Sequence, residues 1–226
     1  MLSIVGTPIG NLKDITLRAL ETLQSADVIV CEDTRSTIIL LKHFNIPQKP
    51  LISFYEGVEI SRIDEIMSAI INSSKVVLVS ENGMPLISDP GYKLVRKCLE
   101  VSQEIDVIPG PTAVITGLVY SGLPPDKFIF LGFLPEKVSH REKLLTDLKE
   151  SLKHINATVI IYVSPHKIKR DLETVIKIFG DIEVVLTREL TKIYQERFMG
   201  RATEAILKYK NPRGEFVLLF HLDLNA

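Results

Sequence analysis

Short apolar runs alternate with stretches of helical periodicity along the whole chain. Nine of these runs predict β-strands, and the continuously apolar ones are typical of strands covered on both faces of a largely parallel sheet. The predicted strands are Leu2–Gly6, Asp27–Cys31, Leu51–Phe54, Val76–Ser80, Ile105–Ile108, Phe128–Leu131, Thr158–Val163, Glu183–Thr187 and Glu215–His221.

Between the predicted strands, apolar residues recur at the spacing of amphipathic helices. The pattern is clearest over residues 63–71, 94–99 and 168–179. Because strands and helices alternate in this way, the sequence predicts an α/β fold.

A segment rich in proline and glycine divides the pattern near its middle. Pro109–Pro111 and Gly122–Pro125 flank Thr112–Ser121, which has the pattern of one helix. Such punctuation can join two units. We therefore predict two α/β lobes, residues 1–113 and 114–226, with a small-ligand cleft between them.

Composition narrows the class of protein. The chain has 226 residues and a net charge of −1, and no apolar run approaches the ~20 residues that span a bilayer. The first residues lack the basic segment of a signal peptide. Cys31 and Cys98 are the only cysteines, which excludes a disulfide scaffold and fits the cytoplasm. No Cys/His group has the spacing of a metal site, so we expect no metal.

Basic residues are concentrated in one stretch. Residues 136–170 hold twice as many Lys and Arg as Asp and Glu. This stretch either faces phosphates or forms solvated helix faces. If it binds nucleic acid, we expect Lys137, Arg141 and Lys143 to contribute phosphate contacts.

Three loops that follow predicted strands share glycine and proline. They are Gly6–Asn11, Ser80–Gly91 and Pro109–Ala113. Loops at the carboxyl ends of parallel strands form the ligand crevice of open α/β sheets. None matches the G-x-G-x-x-G fingerprint or the phosphate loop with its lysine, so a nicotinamide dinucleotide or ATP is disfavoured.

Seven segments, taken in order, resemble the ribosomal RNA small subunit methyltransferase I family of the tetrapyrrole methylase-like superfamily. The resemblance runs from residue 2 to about 220. The segments are Val5–Leu12, Glu32–Arg35, Ile87–Gly91, Ile108–Pro111, Gly132–Pro135, Ser164–His166 and Arg188–Lys192.

The resemblance implies a two-lobed class III methyltransferase that binds S-adenosyl-L-methionine in the inter-lobe cleft. It implies 2′-O-methylation of a cytidine ribose in small-subunit (16S) ribosomal RNA and homodimer formation. From the short apolar runs we expect no membrane attachment. By the same motifs, the expected cofactor contacts are Pro8, Gly83, Met84, Pro85, Ile87, Thr112, Ala113, Tyr162 and Leu190.

This chain departs from the family pattern at several positions. Met84 replaces a threonine and so removes a hydroxyl group. Val163 replaces a glutamate and Lys167 an arginine, and a lysine cannot supply the planar fork of a guanidinium. Relatives that continue into a small C-terminal domain also lead us to expect that this domain is absent here.

Three side chains are candidates for the chemistry. Asp33 could accept the proton of a ribose hydroxyl, or it could cap the helix that begins near Thr34. Arg35 could hold a phosphate or pair with Asp33. Lys192 could contact RNA or lower the pKa of the hydroxyl, or be solvated. We expect Asp89 to cap the helix that follows it.

Two other functions stay open at this point. A relative in the same superfamily would methylate a small molecule of the tetrapyrrole type. The altered Glu81–Met84 loop also allows a degenerate RNA- or cofactor-binding relative without turnover.

Overall fold

The structure, a computed structural model, describes residues 1–72 and 75–222, and the following elements lie in those residues. The strands are β1 (Leu2–Val5), β2 (Val28–Cys31), β3 (Leu51–Ser53), β4 (Val76–Val79), β5 (Ile105–Ile108), β6 (Phe128–Phe133), β7 (Thr158–Val163), β8 (Glu183–Arg188), β9 (Glu196–Arg201) and β10 (Phe216–His221). The α-helices are α1 (Leu17–Ser25), α2 (Thr34–His43), α3 (Glu59–Asn72), α4 (Tyr92–Glu100), α5 (Ala113–Ser121), α6 (Val138–Leu152), α7 (Ile168–Phe179) and α8 (Ala202–Lys208).

The first of two units, Met1–Thr112, contains a sheet of five parallel strands in the order β3-β2-β4-β1-β5. Alternate residues of β4 enter two apolar cores. Val77 and Val79 join the core that includes α1 and α2, whereas Val76 and Leu78 join the core that includes α3 and α4. Because helices cover both faces of the sheet, its inner strands β2 and β4 are continuously apolar.

The second unit, Ala113–Ala226, contains a sheet in the order β6-β7-β10-β8-β9. Only β6 and β7 pair in parallel, and the other three pairs are antiparallel. The prediction of a largely parallel sheet is therefore wrong for this unit. Continuous apolar runs arise wherever both faces are covered, and here α6, α7 and α8 join the core of one face while α5 packs against β8 and β10. The α/β class itself is confirmed.

Strand β9 is absent from the sequence-based prediction. Its sequence, Glu-Arg-Phe-Met-Gly-Arg, has no continuous apolar run, and it forms the edge of the second sheet beside β8. An edge strand pairs on one side only and tolerates charged residues, so its hydrophobic signal is weak.

Two further predictions can be compared with these boundaries. The helix predicted over Thr112–Ser121 is present as α5. The division into an N-terminal lobe, 1–113, and a C-terminal lobe, 114–226, stays a prediction. Within residues 1–72 and 75–222, no helix has the length and apolar character needed to cross a membrane.

Candidate functional site

The three glycine- and proline-rich loops follow three neighbouring strands of the first sheet, β4, β1 and β5. Backbone hydrogen bonds join them. The Gly6 N–H donates to the carbonyl oxygen of Ile108 over 3.1 Å. Thr7 and Gly83 exchange two N–H···O bonds of 2.8 and 3.1 Å. The loops thus form one continuous surface at the carboxyl ends of the strands.

Gly6 and Gly110 lie in direct backbone contact. A Cβ built on Gly6 would be 2.6 Å from the sulfur of Met84 and 2.7 Å from the Cα of Gly110. A Cβ built on Gly110 would be 2.8 Å from the Cα of Gly6. Neither position accepts a side chain without moving the loops, which explains the glycines in both motifs.

Loop 80–91 is held in an unusual conformation. Gly83 has φ +82°, and two non-glycine residues, Leu86 and Ser88, have φ of +72° and +67°. The hydroxyl of Ser80 donates to the Gly83 carbonyl over 3.3 Å. Positive φ at non-glycine residues costs free energy and persists where the surroundings impose it.

The predicted cofactor contacts of the first unit lie on this surface. Pro8, Gly83 and Pro85 are buried, Met84 and Thr112 are half-buried, and Ile87 is exposed. The contacts available to a ligand are therefore backbone groups, apolar side chains and one hydroxyl. Lysine is absent from the three loops, which disfavours a phosphate ligand.

Carboxylates lie in and beside loop 80–91. Burial raises the pKa of Glu32, and the charges of Glu81 and Asp33 raise it further. Burial also raises the pKa of Asp89 to about 7, with a further contribution from the charge of Glu32. An acidic surface of this kind suits a cationic ligand.

Asp89 does not cap the helix that follows it, so that prediction is wrong. Gly91 is the N-cap residue of α4, and its N–H donates to Oε1 of Glu59 over 3.2 Å. Glu59 is buried and also pairs with Lys93 at 3.3 Å. Glu59 from α3 therefore accepts the N–H at the start of α4, the position that the prediction gave to Asp89.

Asp33 and Arg35 take the structural roles considered for them. Asp33 caps α2 through an Arg35 N–H···Oδ1 bond of 2.7 Å. The Arg35 guanidinium contacts both carboxylate oxygens, at 3.2 and 2.7 Å. These bonds lower the pKa of Asp33 to about 2. Asp33 is therefore ionised at neutral pH and is a weak base.

The second unit gathers its candidate residues at one edge of its sheet. Strands β7 and β8 are both antiparallel to β10, so they run in the same direction as each other and as β6. Paired residues near their carboxyl ends form a row in which Phe133 faces Tyr162, Tyr162 faces Val217 and Val217 faces Thr187. Leu190, which follows β8, is buried.

Side chains hold the loop after β8. The ammonium of Lys192 pairs with Glu189 at 3.2 Å and with Glu215 at 2.9 Å. The Glu215 N–H donates to the same Glu189 oxygen over 2.9 Å. Burial alone would lower the pKa of Lys192, but Glu215 and Glu189 raise it. Lys192 is thus a fixed positive charge, not a solvated side chain.

The basic stretch 136–170 is partly internal. Arg141 is buried and donates to the carbonyl oxygens of Pro135 and Glu136 at 2.9 and 3.0 Å. The expectation that Arg141 contacts phosphates is therefore wrong. Lys167 and Arg170 both pair with Glu136, so a carboxylate still reaches Lys167 although residue 163 is valine.

Sequence comparison identifies the family. The sequence profile of the Tetrapyrrole (Corrin/Porphyrin) Methylases matches residues 1–206. The chain belongs to the tetrapyrrole methylase family. It is 46% identical over 220 residues to "Ribosomal RNA small subunit methyltransferase I" of Thermotoga maritima, with 96% of each chain covered. It is 44% identical over 221 residues to a protein of the same name from a Hydrogenobaculum species, with 96% of this chain and 94% of the relative covered.

A solved methyltransferase structure has the same fold. It is a uroporphyrin-III C-methyl transferase from Thermus thermophilus, complexed with S-adenyl homocysteine. The TM-score is 0.69 at 16% sequence identity, and 96% of each chain is covered. At this identity the likeness concerns the fold of the methylase family.

Several features of the candidate site have no signal in the sequence. Glu189 and Glu215 lie 26 positions apart, and no spacing rule connects them. The Phe130, Phe133 and Tyr162 rings meet only because β6 and β7 pair.

Among the described residues, no group of His, Cys, Asp and Glu is arranged to hold a metal. Cys31 and Cys98 are buried, and burial raises the pKa of both thiols.

Proposed function

We propose that this protein is an S-adenosyl-L-methionine-dependent methyltransferase that methylates the ribose 2′-hydroxyl of a cytidine in small-subunit ribosomal RNA. The observation that carries the proposal is the 46% identity, over nearly the full length, to a relative named for methylation of this RNA. The cytidine and its 2′-oxygen come from the motif resemblance. Ribosomal subunits assemble in the cytoplasm, which is the proposed location.

The loops of the first unit fit the proposed cofactor. Pro8, Gly83, Met84, Pro85, Ile87 and Thr112 would hold it through backbone groups and apolar contacts, with Ala113, Tyr162 and Leu190 as the contributions of the second unit. When bound, this cofactor supplies an electrophilic methyl group on a positively charged sulfur. The carboxylates of Glu32 and Glu81, together with Asp89, which is about half ionised at pH 7, would give such a cation acidic surroundings.

The catalytic part of the proposal consists of Asp33, Arg35 and Lys192. Arg35 is 87% exposed at its side chain, so its guanidinium is accessible to an RNA phosphate. Asp33, a weak base, fixes the orientation of Arg35. Lys192 is held as a cation and would stabilise negative charge that develops on the ribose oxygen.

We also propose that the protein forms a homodimer. Helix α5 is apolar on most of its surface and leaves Ile115, Val119 and Tyr120 exposed. Exposed apolar patches of this kind mark interaction surfaces, and isologous dimers are the commonest soluble assembly. Light scattering at micromolar concentration should give twice the chain mass, and a monomer mass would refute this part.

The proposed function is tested in two steps, first by cofactor binding and then by methyl transfer to the substrate. Calorimetry should detect S-adenosyl-L-methionine binding, and labelled methyl groups should then appear on one ribose of unmodified small subunits. Cofactor binding without transfer to subunits would favour a small-molecule methyltransferase. No cofactor binding would favour the relative without turnover.

A further inference from the structure

Three aromatic rings meet on the second sheet, on strands β6 and β7. The Phe130 and Tyr162 ring centroids are 4.8 Å apart at an interplanar angle of 70°. The Phe133 and Tyr162 centroids are 5.5 Å apart at 56°. We call these three residues the aromatic cluster. Such edge-to-face and tilted contacts fix each ring against its neighbour.

A backbone irregularity brings the cluster together. Residues three apart in a regular strand point to opposite faces of the sheet. The register of β6 against β7 shifts between Phe130 and Phe133, and Gly132 within this shift has φ +64°. As a result both phenylalanine rings contact Tyr162. Bulges that re-aim a side chain are frequent beside active sites.

The Phe133 ring packs against the Tyr162 ring and is still exposed to solvent. It is 51% exposed, whereas Phe130 and Tyr162 are half-buried. The cluster therefore presents one accessible ring, that of Phe133, which the other two rings hold in place. RNA-binding proteins use rings of this kind to stack unpaired nucleobases, because every base has a π-face.

The surroundings of Phe133 suit RNA. The carboxyl ends of β6, β7 and β8 lie at the same edge of this sheet, so Phe133 shares that edge with Tyr162 and Lys192. Lys137, four residues after Phe133, is exposed. Lys167 and Arg170 also lie beside this segment. Both pair with Glu136, and Arg170 pairs with Asp171 as well. The exposed ammonium of Lys137 is therefore the positive charge that suits a phosphate flanking a nucleotide.

We propose that the aromatic cluster stacks, through Phe133, on a nucleobase of the RNA substrate and holds that nucleotide out of its helix. The proposal rests on the proposed function for its substrate class. Stacking through a π-face is tolerant of base identity, so the cluster positions the nucleotide and leaves the choice of base to other contacts.

The test compares Phe133→Leu with Phe128→Leu. Phe128 lies at the other end of the same strand, is 41% exposed and is outside the cluster. We expect Phe133→Leu to lower kcat/KM for small subunits by between about fivefold and a hundredfold. The dissociation constant for S-adenosyl-L-methionine should stay within twofold. Phe133→Tyr should restore most of the rate, and Phe128→Leu should resemble the unchanged protein.

Each alternative has its own signature. A matching rise in the cofactor dissociation constant would show that the ring contacts the cofactor, and would overturn the proposal. Equal effects of Phe133→Leu and Phe128→Leu, or a monomeric Phe133→Leu protein, would show a general surface or an assembly contact and would overturn it too.

A second measurement does not depend on methylation. A photoreactive benzoylphenylalanine at position 133 should crosslink to a short single-stranded RNA, and the same residue at position 128 should not. If the unchanged protein fails to methylate subunits but position 133 crosslinks, the proposed function fails and the stacking surface stands. Absence of crosslinking at 133 would overturn the stacking proposal.

Discussion

The carboxyl-end edges of the two sheets are made rigid in different ways. In the first unit, glycines allow the loops to touch backbone to backbone, as at Gly6 and Gly110. In the second unit, ion pairs hold the loop, as Lys192 does between Glu189 and Glu215. Loops in backbone contact have no space for an added side chain, whereas substitution of a charged side chain removes one ion pair and leaves the others.

The difference fits the two kinds of ligand proposed. A small cofactor that is bound through backbone groups needs loops whose shape does not vary. A large RNA is bound through charge and ring surfaces, which tolerate some movement. We therefore expect substitutions at the carboxyl-end edge of the first sheet to abolish ligand binding completely. Substitutions at the carboxyl-end edge of the second sheet should weaken binding gradually.

The largest effect is expected for Gly6→Ala. The added Cβ would lie within 2.8 Å of Met84 and Gly110 atoms, so the loops must separate. Overpacking of this kind costs about 1–3 kcal/mol, and cofactor binding by calorimetry should be lost. The matched control is Gly117→Ala in α5, where the nearest atom would be 3.4 Å away. Normal cofactor binding by Gly6→Ala would contradict the idea that backbone contact between the loops fixes the shape of the cofactor site.

A smaller effect is expected for Lys192→Met. Without the ammonium, the partly buried carboxylate of Glu189 loses its cation, and the pKa of Glu189, now below its ordinary value, should rise. Because the pair is only partly buried, we expect a loss of about 1–2 kcal/mol in unfolding free energy. Lys169→Met, which removes an exposed partner of Glu173, should cost less than about 0.5 kcal/mol. Equal losses would place Lys192 among ordinary surface pairs.

Asp89, in loop 80–91 of the first unit, makes the stability of the folded chain depend on pH. Its pKa of about 7 exceeds the ordinary value, so between about pH 4 and 7 the folded chain holds a proton that the unfolded chain has lost. Stability attributable to this group therefore falls as pH rises through that window. Asp89→Asn should flatten the dependence and be more stable at pH 8 by about 1 kcal/mol, allowing for solvent screening.

Denaturant unfolding at pH 5, 6, 7 and 8 checks this expectation. Asp147→Asn removes an exposed carboxylate that pairs with Lys143, and it should run parallel to the unchanged protein. If Asp89→Asn also runs parallel, then Asp89 is not the group that takes up the proton.

The sequence was most informative where the signal is local. Eight strands of the nine predicted match the observed bounds to within one residue, and the loop motifs of the first unit contain the glycines that touch. The sequence predicts Asp33 as a possible cap because a cap and its helix are adjacent. The prediction for Asp89 is wrong because Glu59, which accepts the Gly91 N–H, comes from a helix distant in sequence. The sequence does not predict the antiparallel pairs of the second sheet, since residue type does not encode strand direction.

The smallest effect is expected at Asp33, where two roles can be separated. Asp33→Asn keeps an oxygen that accepts the N–H of Arg35, so helix α2 stays capped and stability should change by a few tenths of a kcal/mol. Asp33→Ala removes the cap and should cost about 1 kcal/mol. Because a carboxylate with a pKa of about 2 is a weak base, kcat of Asp33→Asn should fall less than about tenfold. A fall of roughly a hundredfold or more, the usual loss when a general base is removed, with stability intact, would return Asp33 to the role of proton acceptor.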